Sequence, residues 1–87
     1  GQNYPNPFNP VTKMDYSLPK SSKVMISIYN VLGQEIKILV NQEQDYGYHS
    51  ISWDGTDDSG MSVASGVYFT QMRSTSFSQS KKMLLLK

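Results

Sequence analysis

Val24-Met25-Ile26-Ser27-Ile28-Tyr29-Asn30-Val31-Leu32-Gly33 is the stretch whose reading decides the fold. Val24, Ile26 and Ile28 alternate with Met25, Ser27 and Tyr29, the period of a strand with one buried face. Three β-branched residues would line that face, where stiff side chains pack well on a pleated surface. Asn30 to Gly33 follows as a turn, with Gly33 available for positive φ.

The same period recurs on both sides. Met14, Tyr16 and Leu18 alternate with Lys13, Asp15 and Ser17, and Pro19 stops the run. Ile36, Ile38 and Val40 are expected to share a face. Leu32 to Gln44 lacks Pro and Gly after Gly33, which would permit a helix, but period two and β-branching favour a strand. His49, Ile51 and Trp53 share the next face. Asp54 to Gly60 is a polar loop. Beyond it Val67, Phe69, Gln71 and Arg73 oppose Tyr68, Thr70 and Met72, and a last strand runs from about Phe77 to Leu86. Short strands with turn signals every eight to twelve residues predict an all-β sandwich of about seven strands. Trp53, Ile26, Ile28 and Tyr68 are expected in one core. No internal repeat is present.

At 87 residues the chain is one domain. A chain of this size buries about 60–65% of its unfolded surface, and usual scaling gives a stability of roughly 4–13 kcal/mol. It has no cysteine, so no disulfide supplements the core. Net charge is +1 with 17% charged residues, and the basic ones are scattered apart from Lys81-Lys82, which argues against electrostatic nucleic-acid binding. No apolar run approaches the roughly 20 residues of a membrane span. Residues 1–11 read as a Pro/Asn-rich linker, not a signal peptide, and residues 12–87 as the sandwich; the chain is expected to be part of a larger protein. Prolines stiffen and extend the linker.

Five blocks then line up in order: Tyr4-Pro5-Asn6-Pro7-Phe8-Asn9-Pro10 with Thr12, Tyr16 and Leu18-Pro19; Val24 to Gly33; Gly47, His49 and Trp53-Asp54-Gly55; Gly60 and Ser65-Gly66-Val67-Tyr68-Phe69; and Lys82-Met83-Leu84-Leu85-Leu86-Lys87. Together they resemble the C-terminal sorting domains of the type IX secretion system, across essentially the whole chain. The resemblance implies an immunoglobulin-like β-sandwich at the C-terminus of a secreted cargo. It implies an address read by an outer-membrane translocon and a sortase-like peptidase that commonly cuts near the Pro-Asn-Pro block. It implies localisation at the cell surface or outside a Gram-negative bacterium. The sorting-motif residues it points to are Pro5, Asn6, Pro7, Gly66, Tyr68, Lys82 and Lys87. Met14 and Met25 replace the more usual aliphatic residues, which are volume-compatible exchanges. The immunoglobulin-like domain of flagellar hook-capping proteins is similar too, sharing the Trp-Asp-Gly and Gly-Val-Tyr blocks but not usually the terminal lysine block.

No catalytic, metal or cofactor site is expected. The Asp54, Asp57 and Asp58 spacing does not match a calcium loop, and these side chains are expected to cap backbone N–H groups. His49 is the only histidine, with no nucleophile elbow in the sequence; it is expected beside Trp53 and hydrogen-bonded. Tyr68 after Gly66 suggests a tyrosine corner. Lys81, Lys82 and Lys87 either guard an edge strand or, as the resemblance implies, present the terminus for recognition. The alternatives to a sorting role are a carbohydrate-binding module, with Tyr4, Phe8, Tyr46 and Tyr48 as candidate platforms, and a structural spacer.

Overall fold

The computed structural model describes residues 12–75 and 77–86. Pro5, Asn6, Pro7 and Lys87 lie outside the described residues. Six strands form in chain order: β1 (Thr12–Leu18), β2 (Ser22–Tyr29), β3 (Glu35–Gln44), β4 (Gly47–Trp53), β5 (Gly66–Ser74) and β6 (Ser78–Leu85). There is no helix among the described residues. β1 and β4 make one antiparallel sheet, and the second has the order β3-β2-β5-β6. The described strands number six, not about seven, because Asp54 to Ser65 stays a loop with a single Thr56–Ser62 bridge.

The alternation in β1, β2, β4 and β5 is observed as read. Met14, Tyr16 and Leu18 point inward, as do Val24, Ile26 and Ile28, then His49, Ile51 and Trp53, then Tyr68, Thr70 and Met72. β3 departs from it. Ile26 pairs with Val40, but Ser27 pairs with Ile38, and Ile28 pairs with Lys37 while Tyr29 pairs with Glu35. Leu39 and Ile36 are therefore extra residues on β3, each a β-bulge that resets the phase of the side chains. Ile38 is consequently exposed and does not share a buried face with Val40; Leu39 packs inward instead.

The interior is two adjoining clusters, not the single core expected. Leu18, Val24, Ile26, Val40 and Met72 form one. Ile28, Trp53, Tyr68 and Leu85 form the other. Ile26 thus belongs apart from Ile28, Trp53 and Tyr68. Leu39, placed by its bulge, packs against both clusters and joins them.

The Asp54–Ser65 loop is held against β3. The Asp58 amide donates to Ile36 O at 3.0 Å, and the Ile38 amide donates to Asp58 Oδ1 at 3.2 Å. Lys37 Nζ donates to Thr56 Oγ1, which donates to Asp54 Oδ1 at 2.6 Å. Asp57 Oδ1 accepts from the amides of Ser59 and Met61. Asp54 Oδ1 also accepts from the Thr56 amide at 3.2 Å, so all three aspartates cap backbone groups, as read from the sequence.

Candidate functional site

The corner between β4 and β5 is built from Trp53, Gly66 and Tyr68. Trp53 is 1% exposed, and its indole N–H donates to Thr56 O at 2.8 Å, so the ring is buried with its one polar atom satisfied. Tyr68 meets it edge to face, with ring centroids 5.2 Å apart and planes at 67°. The Tyr68 hydroxyl donates to Ala64 O at 2.7 Å. A buried ring reaching back to backbone four residues upstream is a tyrosine corner. Gly66 opens β5 with φ of 154°, where a side chain would be strained although nothing crowds the position.

β6 lies beside this corner. Gly66 pairs with Leu85, Tyr68 with Met83, and Phe69 with Lys82. Gly66, Tyr68 and Lys82, the described residues among those the sequence resemblance points to, are thus brought together on one hairpin. Gly66 and Tyr68 carry backbone shape and packing, while Lys82 is exposed. On β6, Leu85 is buried, Met83 half-buried and Leu84 exposed; Leu86, just past the strand, is exposed too. The last apolar run therefore has one face in the core and one face outward.

The outward face of the larger sheet continues this surface. Tyr29 pairs with Phe69, and Phe69 with Lys82, giving a row across three strands. Above it the Asn30–Gly33 turn is closed by Asn30 Oδ1, which accepts from the amides of Leu32 and Gln34 at 2.9 and 3.0 Å. Gly33 has φ of 82°. The turn leaves Val31 66% and Leu32 78% exposed. Sequence reasoning identified this turn but not its apolar tip. The available signal was two large apolar residues between Asn and Gly, where turns are ordinarily polar. A shallow depression beside the tip is lined by Tyr29, Phe69, Gln71, Arg73 and Ser80.

His49 takes no part in this surface. Its ring stacks on Tyr16, with centroids 5.3 Å apart, and its Nε2 lies 2.7 Å from Asp45 O. A carbonyl only accepts, so Nε2 carries the proton in that contact. It is hydrogen-bonded as expected, but beside Tyr16, not Trp53. Burial raises the Tyr16 phenol above its ordinary value, opposed by its hydrogen bond to Gln44. No group of three or more His, Cys, Asp or Glu able to hold a metal is present among the described residues.

A family model described as the FlgD Ig-like domain matches residues 10–78. The chain belongs to the FlgD Ig-like domain family. The immunoglobulin-like class expected for the sandwich is therefore established. Among solved structures, the crystal structure of FlgD from P. aeruginosa is similar, with a TM-score of 0.68 and 25% identity. The alignment covers 87% of this chain and 61% of that one, so this chain spans under two thirds of the solved protein. A search of curated proteins finds no match. The family match ends within the start of β6, so most of that strand lies beyond it.

Proposed function

We propose that this domain is a non-enzymatic secretion signal that directs a larger cargo protein across the outer membrane through the type IX system. The observation that carries the reading is the arrangement of β6. Its inward residues, Met83 and Leu85, anchor the strand on the corner formed by Trp53 and Tyr68, while Lys81, Lys82 and Leu84, and Leu86 just beyond the strand, remain exposed. A signal on such a strand is rigidly held and still readable. The five ordered sequence blocks support the same reading, including Pro5, Asn6, Pro7 and Lys87. The partners are the outer-membrane translocon, a sortase-like peptidase and an N-terminal cargo in the same polypeptide, with the product outside the cell or on its surface.

The test is export of a reporter fused ahead of this chain in a host carrying the secretion system. Deleting Lys87, or extending the chain past it by a few polar residues, is expected to reduce export. The change in stability should stay within about 0.5 kcal/mol, as for other surface changes. Export and fold both surviving the extension would overturn the proposal.

An accessory binding module is the second reading, favoured by Tyr48, which is 94% exposed, and by its exposed neighbour Tyr46. Quenching of tyrosine fluorescence by soluble polysaccharide, lost in Tyr46→Ala and Tyr48→Ala, would support it over export. A spacer role is supported by the family itself and predicts indifference to both sets of changes.

A further inference from the structure

A second feature of the sandwich is independent of the export reading. An open cleft of about 520 Å³ lies between β1 and β6. Two layers of unequal width create it. Strands lie about 4.8 Å apart, so the two-stranded β1–β4 layer cannot cover the full width of the four-stranded one. Ile26, Thr70 and Met72 form the floor, with Met14 on one side and Met83 on the other. The Thr70 hydroxyl contacts Met14 Sδ at 3.4 Å and Met83 Sδ at 3.0 Å, and no buried side-chain N or O atom among the described residues lacks a partner. The floor therefore suits apolar side chains. The rim is basic. Lys13, Lys81 and Lys82 line it with a single acid, Asp15, which already accepts from Ser50 Oγ at 2.6 Å.

β6 borders this cleft on the larger sheet. Among the described residues it pairs only with β5, over eight consecutive pairs without a shift. Its other side therefore offers a straight row of backbone donors and acceptors. We propose that this border binds an extended segment of a partner protein, antiparallel to β6, in which apolar residues are followed by two adjacent carboxylates. The order follows from β6 taken in reverse. Leu85, Leu84 and Met83 come first, then Lys82 and Lys81. Apolar residues opposite the first three, and carboxylates opposite the lysines, make favourable cross-strand pairs. The residue opposite Met83 shares its face and turns into the cleft. Antiparallel pairing is the rule in every ladder among the described residues. The same lysines select against a second copy of this chain. They stand at the centre of the eight-residue strand, so pairing β6 with itself along its full length sets lysine opposite lysine. Main-chain pairing supplies affinity here, and the lysines supply the choice of partner.

The experiment uses the full 87-residue chain, labelled with ¹⁵N, and the synthetic peptide Ser-Val-Ile-Val-Glu-Glu-Thr-Ser, capped at both ends. The peptide is expected to shift the amide resonances of Ser78–Leu85. It should also slow hydrogen exchange at the alternate β6 amides that face away from β5. Replacing Glu-Glu by Lys-Lys should weaken binding roughly tenfold, the effect of reversing two cross-strand charge pairs. Lys81→Glu with Lys82→Glu should exchange the preference, so that the Lys-Lys peptide binds and the Glu-Glu peptide does not. That gain of binding also shows the variant to be folded. A paired strand turns only alternate amides to its neighbour. N-methylation of one alternate set of peptide amides should therefore abolish binding, and of the other set preserve it. The proposal is overturned if millimolar peptide leaves the β6 amides unmoved, if both peptides bind alike, or if both methylated forms bind alike. It is equally overturned if the outward β6 amides are already protected in the dilute chain alone, or become so on raising its concentration. Those results would make the chain itself, or a second copy, the occupant. Export of a fused cargo bears on none of these results.

Discussion

Tyr68→Phe isolates what the corner contributes. The substitution keeps the ring against Trp53, at 5.2 Å and 67°, and removes only the hydroxyl that donates to Ala64 O at 2.7 Å. A buried hydrogen bond contributes a net ~0.5–1.5 kcal/mol. The orphan penalty is small here, because Ala64 is exposed and its carbonyl can turn to water. The expected loss is therefore about 1 kcal/mol, a visible share of the ~4–13 kcal/mol available to a chain of this length. With a urea slope of about 1–1.5 kcal/mol/M for a small domain, the midpoint should fall by roughly 0.7–1 M. The melting temperature should fall by about 4–8 °C. Trp53 is the only tryptophan and is 1% exposed, so its fluorescence reports unfolding directly. A midpoint equal to wild type would show that the hydroxyl contact does not hold the corner. A red-shifted emission before any denaturant would show that the ring had moved, so that packing and not the bond was lost.

Trp53→Ala should cost about 3–5 kcal/mol, read as loss of most of the urea resistance by circular dichroism, because it empties the centre of one cluster. Stability should be flat from about pH 7 to pH 5 and decline below about pH 4 in thermal melts. The Thr56 hydroxyl holds the Asp54 carboxyl below its ordinary range, and the Met61 amide does the same for Asp57. A depressed folded-state pKa stabilises above the unfolded value and is lost as pH falls through the folded one; Asp54→Asn with Asp57→Asn should weaken that acid decline. Melting temperature should not differ between chelator and millimolar calcium, since Asp54, Asp57 and Asp58 each already accept hydrogen bonds from the protein. A rise of several degrees would reverse that expectation.

Most of the sandwich was legible because burial follows period two along β1, β4 and most of β5, which run without a bulge. Val24, Ile26 and Ile28 announce the central strand, and all three are buried. β3 was misread for a physical reason. A bulge adds a residue without adding any composition signal, so Ile36, Ile38 and Val40 look in phase when Leu39 and Ile36 are the inserted positions. The tyrosine corner was legible because Gly66 and Tyr68 have the required spacing. The exposed tip at Val31 and Leu32 was not weighed, because a turn reading explains Asn30 and Gly33 and says nothing about the two residues between them. His49 was assigned to the correct face of β4, but its neighbour lies across the strand pair: Tyr16 sits directly opposite it in the register.

The two borders of the larger sheet are not equivalent. Along β3 the bulges break the regular ladder, and Asp58 already occupies the Ile36 carbonyl and the Ile38 amide. Along β6 eight consecutive pairs run from Ser78 to Leu85 with no shift, so its far side is straight. That side is the longer regular template for another chain. Two molecules meeting β6 to β6 would use the same border on each and form a closed, twofold pair. At each end of such a pair the β3 border would carry its two bulges and the Asp58 contacts at Ile36 and Ile38, which hinder regular pairing along that half of the strand. The same sheet would thus have one border suited to pairing and one whose bulged half resists it.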